Sequence, residues 1–281
     1  MIALFLALTS AGFAANLEGV DESCYEYATD LQAEIDAGTS DYNEQDQQDF
    51  LLNYFSMATT FSPLHSAIPA SGGKGLVGVE LAGIPALGCN RRLVLSGTKT
   101  EDTNKAPAAP RPRVLFQFKK IGKIKPYAGL GYVPPVTVFG TRNVIMSAEA
   151  GFGMALGGGT EWGLRYHATL MKTIAEIASP FNSSDPEELD FYMGSTFGVD
   201  AIIGHEVKEG LKPYISLGFT DASTFFYIGD DGIVGNNQAP YASFTGSVGA
   251  QWTLDKLDFA GEFYTAPGVI YTGRLRASIK L

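Results

Sequence analysis

Ile270-Tyr-Thr-Gly-Arg-Leu-Arg-Ala-Ser-Ile-Lys-Leu281 alternates without a break: Tyr271, Gly273, Leu275, Ala277, Ile279 and Leu281 share one side, Thr272, Arg274, Arg276, Ser278 and Lys280 the other. A period of two sends these sets to opposite faces of a strand. A greasy outward face calls for lipid, and in lipid a strand's backbone edge must be paired, most simply by barrel closure. Apolar-out, polar-in dyads along a chain with 33 glycines predict an all-β protein, an antiparallel transmembrane β-barrel.

Working back from that strand, period-two segments fall near 75–84, 112–120, 124–133, 143–156, 160–171, 191–204, 211–220, 240–254, 257–264 and 269–281. Residues 143–156 are a clear example, with Val144, Met146, Ala148, Ala150, Phe152, Met154 and Leu156 opposite Ser147, Glu149, Gly151 and Gly153. The connections alternate in length. Those at 121–123, 157–159, 205–210 and 255–256 are short, and those at 85–111, 134–142, 172–190, 221–239 and 265–268 are generally longer. Short periplasmic turns and longer outer loops are the habit of outer-membrane barrels, and an even count of about ten strands puts both chain ends in the periplasm. Tyr132, Trp162, Phe191, Phe225, Phe226, Tyr227, Trp252, Phe263 and Tyr264 cluster near strand ends, as interfacial girdles would.

The stretch before Lys74 is different. No Lys or Arg precedes Lys74, whereas eleven of the 30 acids do, leaving nineteen to face all 20 bases. The net charge of −10 therefore belongs to residues 16–73, an acidic segment with helical spacing at 20–37 and 46–61, ending in a Pro/Ser/Gly-rich linker. It lies either on the periplasmic side or in the lumen as a plug, and the barrel occupies 74–281. Residues 1–15 read as a secretory signal peptide by their short apolar run and small-residue exit. No apolar run reaches the roughly 20 residues of a helical span. Cys24 and Cys89 are the two cysteines. An oxidising compartment permits one disulfide between them, or they remain two thiols.

The terminal strand resembles the C-terminal strand of bacterial outer-membrane proteins, with Leu281 where that group usually has Phe or Tyr. Thr98-Lys-Thr-Glu-Asp-Thr-Asn104, Tyr132-Val-Pro-Pro-Val136, Arg165-Tyr-His-Ala-Thr169 and Thr224-Phe-Phe-Tyr-Ile-Gly-Asp-Asp-Gly232 are similar to stretches of uncharacterised outer-membrane barrels of Gram-negative bacteria. The resemblance implies that fold, an outer-membrane address, outer-membrane lipid around the wall and handling by the barrel-assembly machinery.

With greasy faces outward, the lumen receives Lys119, Glu149, Arg165, His167, Asp200, Asp258, Glu262, Arg274, Arg276 and Lys280. Charges there must pair or meet water. The site candidate is a lumen polar cluster of Glu149, Arg165, His167, Asp200, Glu262, Arg274 and Arg276, which serves a polar path or pocket if it is more than mutual neutralisation. Ten strands enclose too little space for a wide pore. His167 beside Arg165 has no nucleophile at a telling spacing, so the chain reads as non-enzymatic. Asp230 and Asp231 could hold calcium on a flexible loop, though Asp, Gly and Asn are also turn residues. No Gly-rich phosphate loop, cofactor motif, metal set or basic nucleic-acid surface stands out. Two functions fit. One is passage or binding of a small hydrophobic or amphipathic ligand with the N-terminal segment as gate. The other is a non-transporting, envelope-structural or surface-binding barrel acting through its loops, the Pro-rich 106–113 and the aromatic 225–227 among them.

Overall fold

The computed structural model describes residues 24–70, 74–94, 99–101, 108–138, 141–175, 178–180, 190–228 and 233–281. The signal-peptide reading at 1–15 and the calcium reading at Asp230 and Asp231 lie outside the described residues. In chain order come α1 (Tyr25–Asp36), α2 (Glu44–Thr59), β1 (Gly75–Gly83), α3 (Cys89–Arg92), β2 (Leu93–Val94), β3 (Lys99–Glu101) and β4 (Ala108–Gln117). Then follow β5 (Ile124–Val138), β6 (Thr141–Gly157), β7 (Thr160–Ala175), β8 (Ala178–Pro180), β9 (Asp190–His205), β10 (Leu211–Ile228), β11 (Ile233–Asn236), β12 (Ala242–Leu254), β13 (Leu257–Ala266) and β14 (Ile270–Lys280).

Ten strands form a ring in the order β1-β4-β5-β6-β7-β9-β10-β12-β13-β14, and β14 returns to β1. Every pair is antiparallel. The closing register runs from Leu76↔Lys280 to Ala82↔Arg274, and the Leu281 amide donates to the Gly75 carbonyl at 3.0 Å. Closure removes the open edge that the period-two pattern had to resolve. Along β14 exposure alternates residue by residue: Leu275 is 61% exposed, its neighbours Arg274 and Arg276 1% and 3%. The same inversion holds around the ring. Val79, Leu130, Met146, Leu217 and Phe244 face out, while Glu80, Arg113, Glu149, Asp200 and Glu262 are buried inside. An apolar exterior around a charged interior is the polarity of a barrel set in lipid.

The short connections, 118–123, 158–159, 206–210 and 255–256, share one end with Lys74 and Leu281. Gly157, Gly158 and Gly159, at φ of 102°, 58° and 81°, make one of these turns in a conformation closed to most side chains. At the other end β2, β3 and β8 form a small separate sheet on the long connections, and β11 folds back on β10.

Three connections differ from the sequence reading. The strand placed at 112–120 runs 108–117 instead, so Arg111 and Arg113 belong to the wall and not to an outer loop, and Lys119 sits exposed in the turn rather than in the lumen. The connection placed at 134–142 shrinks to the residues between Val138 and Thr141, because β5 absorbs Pro134 and Pro135 in a register shift against β6. Residues 225–227, read as loop, extend β10 in register with Tyr192 and its neighbours on β9.

Of the two places offered for the N-terminal segment, the described part takes the mouth and the lumen. Asn43 caps α2 by accepting from the amides of Gln45 (3.0 Å) and Asp46 (3.3 Å). α2 then descends through the long-loop mouth. Leu51 and Leu52 pack with Ile145, Met171, Tyr192 and Phe226. Tyr54, Met57 and Ala58 pack with Ala222, Tyr241, Tyr264 and Ile270. Beyond Thr60 the chain leaves helical geometry and crosses the lumen, buried throughout to Ala70. Cys24 therefore stands at the mouth, at the end of the barrel opposite Leu281. The reason is that the chain threads its own barrel.

The inverted polarity gives a test: Leu275→Arg on the lipid face is expected to cost about 2–4 kcal/mol if the residue lies near mid-membrane, read as a lower urea midpoint for unfolding from lipid vesicles.

Candidate functional site

An extended segment inside a barrel has no ladder to join, so each of its amides and carbonyls needs a partner from the wall. Residues 57–70 find them in order down the axis. The Arg274 guanidinium donates to the carbonyls of Thr60 (2.6 Å) and Met57 (3.3 Å), and Arg111 donates to Thr59 (2.9 Å) and Thr60 (3.3 Å). Two cations thus sit at the carbonyl end of α2, where the helix dipole is negative. Lower down, Arg165 binds the Phe61 carbonyl, and Arg113 binds that of Ser62 at 3.0 Å. From Leu64 onward the wall accepts. The Leu64 amide meets Glu262 (3.0 Å), Ser66 meets Gln251 (3.0 Å), Ile68 meets Glu161 (2.9 Å) and Ala70 meets Gln117 (3.2 Å). The Gln251 amide also donates to the Pro69 carbonyl at 2.7 Å.

The same wall groups bind one another. Arg113 bridges Glu80 (3.1 Å) and Glu149 (2.7 Å), and Glu80 also pairs with Arg111. Arg165 lies 3.2 Å from Glu149 and 3.5 Å from Asp200, and His167 lies 3.6 Å from Asp200. From the plug, His65 approaches Glu149 to 3.6 Å. Three carboxylates, Glu80, Glu149 and Asp200, thus lie among three guanidiniums, Arg111, Arg113 and Arg165, as burial of charge requires. Nearer the short-turn end, Lys212 pairs with Glu161 at 3.0 Å, and Asp258 with Arg276. A cavity of about 10 Å³ bordered by Phe61, Gly129, Glu149, Arg165 and His167 has room for one water. Outside the wall, burial together with Glu44 and Tyr27 holds the Tyr42 phenol above its ordinary range.

Of the seven residues named from sequence, Glu149, Arg165, His167 and Asp200 meet in one network. Glu262 and Arg274 serve the plug backbone, and Arg276 stands apart with Asp258. Sequence reasoning missed Glu80, Arg111, Arg113, Gln251 and His65. Arg111 and Arg113 share the period of two with Leu115, and Glu80 alternates with Val79 and Leu81, so their inward placement had a signal. The partners of Gln251 and His65 had none. Gly131 and Gly153 are the close approaches of plug to wall: a Cβ there would meet the Phe61 ring and the Ala67 backbone respectively.

At the mouth, Cys24 and Cys89 form a disulfide with Cα atoms 5.3 Å apart, joining the start of α1 to α3. Asp49 accepts from the amides of Gln238 (2.8 Å) and Ala239 (3.0 Å), and Asn53 accepts from Tyr241 (2.8 Å), so the β11–β12 connection also grips α2. Among the described residues no group of three or more His, Cys, Asp and Glu is arranged to hold a metal ion.

These features define a closed, plugged β-barrel with a lipid-facing wall. No protein-family model and no curated protein sequence matches the chain. Among solved structures it is similar to the translocator domain of the autotransporter NalP from Neisseria meningitidis, at 10% identity and a TM-score of 0.43, over 93% of this chain and 100% of that one. It is also similar to the Pseudomonas putida toluene transporter TodX, at 10% identity and a TM-score of 0.40, over 79% and 73% of the two chains. The attachment invasion locus protein Ail of Yersinia pestis is a further likeness, at 10% identity and a TM-score of 0.33, over 74% and 97%.

Glu149 touches two wall arginines and the plug at once. Glu149→Ala is expected to destabilise the folded barrel by about 3–5 kcal/mol, the cost of breaking a buried ion pair, and to make residues 60–70 accessible to added protease before the barrel itself unfolds. An unchanged protease pattern would contradict the assignment.

Proposed function

We propose that this protein is an outer-membrane β-barrel controlling the passage or binding of a small hydrophobic or amphipathic molecule, with residues 44–70 as the gate. The observation that carries the reading is the way residues 57–70 are held. They are docked by side-chain hydrogen bonds from the wall, which break one at a time, and not by a continuous backbone ladder. Above the polar section lies an apolar core, where Leu51, Leu52, Ile145 and Tyr192 pack together under the mouth; displacing α2 from it would leave an apolar lining that suits a ligand with apolar surface. In this reading the short-turn end carrying Lys74 and Leu281 faces the periplasm, and the barrel-assembly machinery handles the strand Ile270–Lys280. The protein acts without catalysis, its buried charges being engaged by one another and by the plug.

A second reading is favoured by the disulfide and by the β2-β3-β8 sheet, which give the outer loops an order of their own. That reading is a non-transporting, envelope-structural or surface-binding barrel.

The two separate in planar bilayers. Replacing Arg113 and Arg274 together by Gln removes donors to Met57, Thr60 and Ser62, and is expected to raise discrete conductance above that of the wild type. Folding is checked in the same preparation by a band that shifts on boiling. A folded double variant as silent as the wild type would favour the second reading.

A further inference from the structure

The outward faces of β7, β9 and β10 turn polar together. From the short-turn end they carry aliphatic and aromatic side chains as far as Leu170, Phe197 and Phe219, all well exposed. The next outward positions are Lys172, Ser195 and Asp221. Lys172 pairs with Met193, so Ser195 lies two residues lower on β9; Ser195 pairs with Ser223, so Asp221 lies two residues lower on β10. The lower rim of the wall steps in the same direction, since Leu211, the first residue of β10, pairs with Trp252 while β12 runs on to Leu254. A horizontal line crosses the register of tilted strands in this way. Lys172, Ser195 and Asp221 therefore stand at one depth, where the lipid-facing band ends on the long-loop side.

A groove of about 510 Å³ opens outward at this line, between Met146, Leu170, Lys172, Met193, Ser195 and Ser223. Its cause is side-chain size: Ser195 and Ser223 are paired neighbours, set among the longer Leu170 and Met193. The Ser195 hydroxyl lies along the wall, donating to the Ser223 carbonyl at 3.4 Å. Lys172 leans over β9, its Nζ 4.7 Å from the centre of the Phe191 ring. The wall thus has a dent with a hydroxyl on β9, a cation one strand to one side and a carboxylate one strand to the other. Roughly 10 Å separates the two flanking strands.

We propose that this patch is the face of a homodimer, in which two barrels meet in the membrane about a two-fold axis passing beside Ser195. Two copies inserted the same way round can be related only by an axis along the membrane normal, and such a half-turn sets the left of one patch against the right of the other. Lys172 of each copy then meets Asp221 of the other. One step lower Leu170 meets Phe219, and along the axis Met193, Ser195 and Phe197 meet their own counterparts. The two serines let the walls approach closely, as small residues do between membrane helices. An anionic lipid head group would suit Lys172 and meet Asp221 as a like charge, whereas a second copy answers both at once. Exposed Arg142 lies one strand beyond Lys172, on β6, where two convex walls have curved apart. The proposal concerns the outside of the wall and stands apart from what the lumen passes or binds.

The test begins with Ser195→Cys in the full chain, the Cys24–Cys89 disulfide left intact, which places an added thiol on the axis. After oxidation of outer-membrane fractions with copper phenanthroline, a band of twice the mass that reductant removes is expected. Leu81→Cys, exposed on β1 five strands round the ring, is the control and is expected to stay monomeric. If Ser195→Cys does not give a band that shifts on boiling, Met193→Cys on the same strand takes its place. Added to the cross-linking variant, Lys172→Asp and Asp221→Lys are each expected to lower the dimer fraction about tenfold. The two together are expected to restore it, a rescue that misfolding does not produce. A dimer no more abundant than in Leu81→Cys, or one indifferent to both charge reversals, would overturn the proposal. A folded Ser195→Cys barrel that stays monomeric and keeps lipid phosphate through detergent exchange would also overturn it, and would give the groove to a lipid.

Discussion

The structure depends on one constraint: a length of chain without regular structure passes through a tube and must have its backbone polar groups satisfied by that tube. Arginines serve where the plug presents carbonyls, at Met57 to Ser62, and carboxylates or amides serve where it presents N–H groups, at Leu64 to Ala70. The order of residue types down the lumen follows from this. The ion pairs among Glu80, Arg113, Glu149 and Arg165 are then what keeps those groups aimed while buried. Had the plug been a helix to its end, the wall would have needed few of them. An apolar lumen of the kind that fills the mouth would have sufficed.

Above that section the logic changes. Around α2 the lumen is packed with Leu, Met, Tyr and Phe, because a helix satisfies its own backbone and asks only for its apolar side to be covered. The boundary between the two regimes falls at Thr60, where the helix ends and its carbonyls meet Arg111 and Arg274. The apolar core at the mouth and the polar section below it are thus two consequences of one change in backbone geometry.

The barrel was legible because alternation is a local signal: each of the ten segments announced its two faces within a dozen residues, and the end strand did so without exception. What misled was proline. Arg-Pro-Arg at 111–113 and Pro-Pro at 134–135 signal turns by composition, yet a proline whose nitrogen faces an unpaired seam or a bulge removes nothing the strand uses. Half of the polar cluster was legible, since facing strands of opposite sign imply pairs. The plug contacts were not, since Leu64 and Ser66 find partners 198 and 185 residues away, and nothing in an extended Ser/Pro/Ala stretch records which wall it will touch. The cysteine pair was permitted by composition and decided by geometry alone.

The disulfide at the mouth has a mechanical consequence. Residues 24 and 89 are joined above the barrel, while Lys74 is built into the wall at the opposite end by its bonds to Leu281 and Gln117. The segment between them is a cord made fast at both ends. It cannot be drawn out of the tube or swing away like a hinged door; it has only its slack. Whatever motion it makes is a sideways bow of a few residues between its two moorings.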